Sequence, residues 1–203
     1  MLVPGVNTPL PGTTVAAEPQ LAGNVIEDKM FDFSMTTTKG LVTGQIQSRV
    51  VRSTVDGILD FYSRLFNNAT WLDDVAFFRF GLFNAPEYNA NYRIDGVGDR
   101  APISAYRFTG LQTSFVNFDF TTQGPSGAPS GLRPGESSNF MLMDTSATQY
   151  AEIASMDVAD FGTAHESQSF AAFTPAVPEP ANYALMGLGL ALVGALARRR
   201  RPV

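Results

Sequence analysis

Short runs in which apolar and polar residues alternate fill the middle of the chain. In residues 114–122 (SFVNFDFTT), Val116, Phe118 and Phe120 share one face of an extended chain, with Asn117 and Asp119 on the other. An alternation of period two over this length is typical of a half-buried β-strand. Similar runs predict further strands in residues 44–55, 75–83 and 137–145.

A hairpin is predicted around Asp56-Gly57, a dipeptide that favours tight turns. The run before it, residues 44–55, places Ile46 and Val50 on one side of an extended chain. The run after it, residues 58–66 (ILDFYSRLF), alternates as a returning strand but also fits a helical spacing, so a helix is the alternative. The turn signal and the aromatic content favour the strand.

Loops rich in glycine, proline and asparagine separate these runs, in residues 84–91, 95–102 and 122–137. Short strands with such loops between them favour an all-β fold, with an antiparallel β-sandwich-like or barrel body. Residues 148–161 fit either a strand or a short helix, which leaves an α+β fold as the alternative.

The chain divides into four predicted segments. Residues 1–22, rich in proline, glycine and threonine, form a flexible or extended lead-in, and residues 23–172 form the β-sandwich-like domain. Residues 173–180 contain three prolines and are predicted to be an extended linker. Residues 181–203 form a separate C-terminal tail.

Charge is distributed unevenly over the 203 residues, whose net charge is -5. Four arginines and one glutamate give residues 177–203 a charge of +3, which leaves -8 on residues 1–176. An acidic body with two lysines is a poor partner for nucleic acid. The absence of cysteine excludes disulfides and zinc-thiolate sites.

The tail has the composition of a membrane-spanning helix. Residues 183–197 carry no charge and are apolar on all sides, and Arg198, Arg199, Arg200 and Arg201 follow directly. Fifteen helical residues span about 22 Å, short of the ~30 Å hydrocarbon core, so a buried terminal helix is the alternative. The arginine block favours insertion, with the arginines on the cytoplasmic side and residues 1–176 outside.

The order of Pro178-Glu179-Pro180, an apolar run and a terminal arginine cluster closely resembles the PEP-CTERM sorting signal. The resemblance covers about 25 residues. It implies an exosortase substrate that Gram-negative, exopolysaccharide-producing bacteria export and cut near the triplet. It also implies contact with membrane lipid, an inner-membrane intermediate and a final place at the cell surface or outside the cell. Members of this family normally begin with a secretory signal, which residues 1–22 lack, so we expect an upstream leader to precede Met1.

Candidate chemistry in the body is sparse. His165 is the only histidine, and without a Gly-x-Ser-x-Gly sequence it is expected to be an exposed loop residue. Residues 95–99 (DGVGD) could offer oxygen ligands to calcium but lack the full acidic spacing, so a glycine turn is favoured. Acid pairs suitable for glycoside hydrolysis, which are solvated turn residues by default, are Asp73/Asp74, Asp95/Asp99 and Asp157/Asp160.

Aromatic residues offer one further possibility, the stacking of sugar rings as in a carbohydrate-binding module. The candidates are Tyr62, Trp71, Tyr88, Tyr92 and Tyr106, although phenylalanine, a core residue, dominates the aromatic set. We therefore expect a non-enzymatic surface or extracellular-matrix protein with no catalytic residue, metal or cofactor. The alternatives are a carbohydrate-binding module acting on exopolysaccharide and, third, a hydrolase that uses an acid pair.

Overall fold

The computed structural model describes residues 1–68, 73–83, 85, 87–110, 115–124, 127–161 and 165–176. Within these ranges the chain is dominated by β-strands, with one 3-10 turn at Pro19–Leu21. The strands are β1 Asn7–Pro9, β2 Gly23–Thr37, β3 Gly40–Ser53, β4 Leu59–Asn67, β5 Phe77–Gly81, β6 Asn89–Tyr92, β7 Ser104–Arg107, β8 Val116–Asp119, β9 Thr122–Gln123, β10 Pro129–Ser130, β11 Met141–Asp144, β12 Tyr150–Ala159 and β13 Phe170–Pro175.

The strands form two large antiparallel sheets and one small pair. The six-stranded sheet has the order β1-β7-β8-β5-β12-β13, and the five-stranded sheet has the order β2-β3-β4-β11-β6. Strands β9 and β10 pair separately. The prediction of an antiparallel all-β class is confirmed for the described residues, and β12 occupies the run for which a helix was the alternative.

One hydrophobic core lies between the two large sheets. Alternate residues of β5 and β8 enter it, among them Phe78, Phe80 and Phe118, each at most 1% exposed. From the five-stranded sheet, Ile46 and Leu65 enter the same core and are fully buried. Each buried aliphatic or aromatic side chain contributes about 1.5–3 kcal/mol, so this core is the main source of stability. The arrangement is that of two layers around a shared interior.

The predicted hairpin is formed by β3 and β4, and the second run is a strand rather than a helix. Arg52 pairs with Leu59 at the end of the ladder, and Ser53 donates its backbone N–H to the Ile58 carbonyl. The loop between them closes on Gly57, whose φ of 76° is in the left-handed region that favours glycine. The turn thus sets the register of β4, whose first five residues are buried on both faces of the sheet.

Two predicted segment boundaries are corrected by packing. Residues 1–22 are largely extended, but Leu2 and Leu10 lie in the main core and β1 pairs with β7. Leu21 packs on the outer face of the five-stranded sheet, where its carbonyl accepts a 2.9 Å hydrogen bond from the Tyr62 hydroxyl. The N-terminal segment is therefore part of the body. At the other end, residues 173–175 of the predicted linker belong to β13.

Candidate functional site

The residues of the predicted sorting tail lie outside the described residues, and this applies to Pro178, Glu179, Pro180, Arg198, Arg199, Arg200 and Arg201. The predicted transmembrane helix of residues 181–203 lies outside them as well. Among the residues that the structure describes, none belongs to a helix with the length and apolarity needed to cross a bilayer. The described chain ends at Ala176, two residues before the Pro-Glu-Pro triplet.

The chain is packed against the rest of the body as far as Ala176. Phe173 is 3% exposed in β13, and its ring lies 5.7 Å from the ring of Tyr150 in an edge-to-face contact. Lys29 lies over the other side of the same ring at 5.2 Å and pairs with Glu152 at 2.6 Å. Ala176 donates its backbone N–H to the Gln149 carbonyl. The sorting motif thus begins immediately beyond a packed strand.

Asp73 and Asp74 each have a structural partner and do not act as a free pair. Asp73 is 5% exposed and lies 2.6 Å from the Lys39 ammonium group. Burial by itself would raise the pKa of Asp73, but hydrogen bonds, chiefly from Lys39, lower it below its usual value. Asp74 accepts hydrogen bonds from the Ser130 hydroxyl and from the Gly131 backbone N–H. Both carboxylates therefore bind neighbouring segments of the chain and hold them in place.

Asp95 and Asp99 also bind neighbouring loops. Asp95 pairs with Arg93 at 2.5 Å and accepts the Val15 backbone N–H. Asp99 accepts both the backbone N–H and the hydroxyl of Ser137 at 2.8 Å, and the backbone bond is the main cause of its lowered pKa. Within the described ranges, no three side chains of the metal-binding types converge on one point.

Asp157, Asp160 and His165 lie in or just after the C-terminal part of β12, and each contacts a polar side chain. Arg79 bridges Asp157 and Glu166 across the outer face of the six-stranded sheet. His165 was expected to be an exposed loop residue, but its side chain is only 32% exposed and its Nδ1 lies 2.5 Å from Asp160. Asp160 also accepts the backbone N–H of His165, so the pair closes the loop between β12 and the next segment.

A buried acid pair, which the sequence analysis missed, joins two strands of the five-stranded sheet. Asp60 of β4 and Asp144 of β11 are direct partners in the antiparallel register, and Asp60 is 3% exposed. Burial, and then the charges of Asp144 and Asp56, raises the pKa of Asp60 to about 8. Asp60 therefore keeps its proton at neutral pH, and a side-chain hydrogen bond with Asp144 contributes to the raised pKa of Asp60.

The predicted aromatic set does not form a common surface. Tyr62 and Tyr88 are buried at 4% and 3% exposure, Tyr92 packs against the core and Tyr106 contacts Phe108. Trp71 lies outside the described residues. Two phenylalanines, Phe108 and Phe115, line a surface pocket, although phenylalanine was expected to be a core residue.

That pocket, here called the six-strand pocket, lies on the outer face of the six-stranded sheet and has a volume of about 370 Å³. Its floor carries Arg79, Asn117 and Asp157, which occupy one row of the ladder on β5, β8 and β12. The lining is completed by a serine, two phenylalanines and a glycine, namely Ser155, Phe108, Phe115 and Gly81. A volume above 300 Å³ with an apolar wall and a few polar groups is typical of small-ligand sites.

A second pocket of about 530 Å³ lies on the outer face of the five-stranded sheet. Its lining is mostly apolar, with Tyr62 and Phe140 in edge-to-face contact. Its two arginines, Arg49 and Arg93, are paired with Asp28 and Asp95. The charges at this pocket are therefore already compensated within the protein.

Comparison with known proteins identifies the tail. Residues 176–201 match the family model described as the PEP-CTERM protein-sorting motif. This match supports the resemblance on which the sequence analysis relied, and the motif implies export and a C-terminal anchoring signal that an exosortase recognises. No curated protein and no solved structure matches the chain.

Proposed function

We propose that this protein is exported, held at the inner membrane by its C-terminal tail, and cut near Pro178-Glu179-Pro180 by an exosortase. The released β body then acts at the cell surface or in the extracellular matrix as a structural or interaction protein. In the anchored state the body is outside the membrane and the arginine cluster of residues 198–201 is cytoplasmic. The observation that carries the proposal is the match of residues 176–201 to the sorting motif.

The geometry of β13 supports processing close to the membrane. The strand ends at Pro175, and residue 183 begins the uncharged run. The seven residues between them reach at most about 24 Å when fully extended. The body is therefore held within about 24 Å of the bilayer before cleavage, less than the ~30 Å diameter of a small domain. The protease thus reaches a chain segment beside a folded domain.

We propose no catalytic step for the β body. This is supported by the candidate acids, because Asp73, Asp74, Asp95, Asp99 and Asp157 each bind a lysine, an arginine or a loop in the structure. A hydrolytic pair needs carboxyl groups that face a common substrate position, one of them free to donate a proton. Asp60, the acid with the strongly raised pKa, is only 3% exposed and so does not face such a position.

Cell fractionation with an antibody against the body tests the processing step. We expect a longer, membrane-bound form to accumulate in cells without the exosortase and in a Glu179→Gln variant of otherwise normal cells. The matched control is Glu87→Gln, which removes an exposed acid of a second Pro-Glu dipeptide within the body. This control should be processed normally. A chain of the same length and location in cells with and without the exosortase would contradict the proposal.

A further inference from the structure

We propose that the six-strand pocket binds a neutral pyranose ring of a glycan. The inference goes beyond the export and processing of the chain, and it depends on the body alone. It rests on the placement of polar groups, aromatic rings and a glycine on the outer face of the six-stranded sheet.

The polar groups form one row across neighbouring strands. Asn117 of β8 pairs with Arg79 of β5, and Arg79 pairs in turn with Asp157 of β12. Adjacent strands lie ~4.8 Å apart, so side chains of this row are spaced along a line. The row offers both donors and acceptors, since an amide supplies both, a guanidinium only donates and a carboxylate accepts. Sugar hydroxyl groups also donate and accept hydrogen bonds, so they are suitable partners for the Asn117 amide and for the atoms that the Arg79–Asp157 pair leaves unbonded.

The aromatic wall stands beside this row. Phe108 and Phe115 follow β7 and precede β8, and their backbones are hydrogen bonded to each other, which places both at the same end of the pocket. Phe115 remains 36% exposed, whereas half of the sixteen phenylalanines are buried. A pyranose ring has an apolar C–H face and polar hydroxyl edges, so it presents one surface to the wall and the other to the row.

The position of the aromatic wall depends on Gly81. A Cβ atom at this position would lie 2.5 Å from the Ser155 hydroxyl and 2.9 Å from the Phe115 ring. The φ of this glycine lies outside the left-handed region, so its backbone conformation does not itself require glycine. The missing side chain instead lets the Ser155 hydroxyl and the Phe115 ring approach the backbone of β5, which fixes both groups at the edge of the pocket.

Charge selects a neutral ligand over an anionic one. The guanidinium of Arg79 is already bound by Asp157 and Glu166, so these three groups together carry one net negative charge. A phosphate or a uronic acid in the pocket would meet the Asp157 carboxylate, and the Arg79 guanidinium beside it is already paired with Asp157 and Glu166. Hydroxyl groups carry no charge and bond to carboxylate oxygens without this repulsion.

Binding to defined polysaccharides tests the site with the full chain, purified in a detergent that has no sugar headgroup. The probes are dextran and galactomannan, which are neutral, and alginate, which is anionic. The variants are Phe115→Ala, which removes half of the wall, and Asn117→Ala, which removes the amide at one end of the row. Ile153→Ala is the matched control, because this β12 residue is 62% exposed and does not line the pocket.

We expect retention by at least one neutral polysaccharide, and both pocket variants should weaken it at least about tenfold while the control changes it less than twofold. Thermal unfolding shows whether each variant is folded. Because Phe115 is exposed, the Phe115→Ala variant should fold even if the Asn117→Ala variant does not. Three results would overturn the inference: no retention by either neutral polysaccharide, retention that both pocket variants preserve, or tighter binding to alginate. None of these results would affect processing of the tail.

Discussion

Replacing Asp60 with asparagine should stabilise the protein in a strongly pH-dependent way. Asp60 is 3% exposed and is paired across the ladder with Asp144. Burial first, and then the charge of Asp144, raises the pKa of Asp60 from 3.8 to about 8. The folded protein therefore holds a proton that the unfolded chain releases above pH ~4, and the free energy of unfolding falls as the pH rises from there to about 8.

The magnitude follows from the two pKa values. Each pH unit inside this window costs about 1.4 kcal/mol, so Asp60 removes about 4 kcal/mol of stability between pH 4 and pH 7. An asparagine side chain has nearly the same shape and also donates a hydrogen bond to Asp144, but it has no proton to lose. The D60N variant should thus match the wild type at pH 4 and exceed it by up to about 4 kcal/mol at pH 7.

Urea denaturation at pH 4, 5, 6, 7 and 8 measures this difference, provided that the m-values of the two proteins agree. Asp32→Asn is the matched control, because it makes the same chemical change at an exposed position of β2. A stability difference between D60N and wild type that does not grow from pH 4 to pH 7 would refute the reasoning. So would a control that shows the same growth.

Three further predictions concern side-chain packing and the segment between β13 and the sorting motif. Leu10→Ala should cost about 2–5 kcal/mol in urea denaturation because Leu10 is buried in the main core, whereas the exposed Val6→Ala should change stability by less than about 0.5 kcal/mol. Gly44→Ala should cost about 1–3 kcal/mol in the same assay because its Cβ would lie 2.0 Å from a backbone carbonyl, whereas Gly96→Ala has room and should be neutral within about 0.5 kcal/mol. A six-residue Gly/Ser insertion after Ala176 should speed processing in a pulse-chase assay because it moves the motif away from β13. Unchanged or slower processing would contradict the inference that the segment between β13 and the membrane is short.

The strands were predictable where the signal is local. The alternation in residues 116–120 buries Val116 and Phe118 as expected, and the Asp56-Gly57 turn joins two strands of the five-stranded sheet. In these segments the residues that decide the structure are neighbours in the sequence. Side-chain period and turn chemistry were therefore sufficient.

The N-terminal segment was not predictable from the same signals. Leu2 and Leu10 are separated by a segment with two prolines and one glycine and no regular apolar spacing, and their backbone N–H groups bond to the carbonyls of Tyr88 and Ile103. Such contacts join distant parts of the chain and have no local periodicity. Composition alone therefore suggested a lead-in where the protein has a packed segment.

The candidate sites also differ in whether they could be predicted from local sequence. The sorting motif is a contiguous sequence and was recognised from Pro178-Glu179-Pro180 and the arginine cluster. The six-strand pocket and the Asp60–Asp144 pair depend on the register between strands far apart in the chain, which no sequence spacing reveals. Acids that were suspected from their proximity in sequence turned out to have separate partners in the structure.

The central claim is that the tail is removed from an intact β body, and the mass of the mature protein tests it most directly. Intact mass spectrometry of the protein recovered from the cell surface or medium would locate its new C-terminus. We predict a terminus after Ala176 and before residue 183, with all of β13 retained and the arginine cluster absent, in cells that have the exosortase. A mature chain that still ends at Val203, or one cut within β13, would contradict the account.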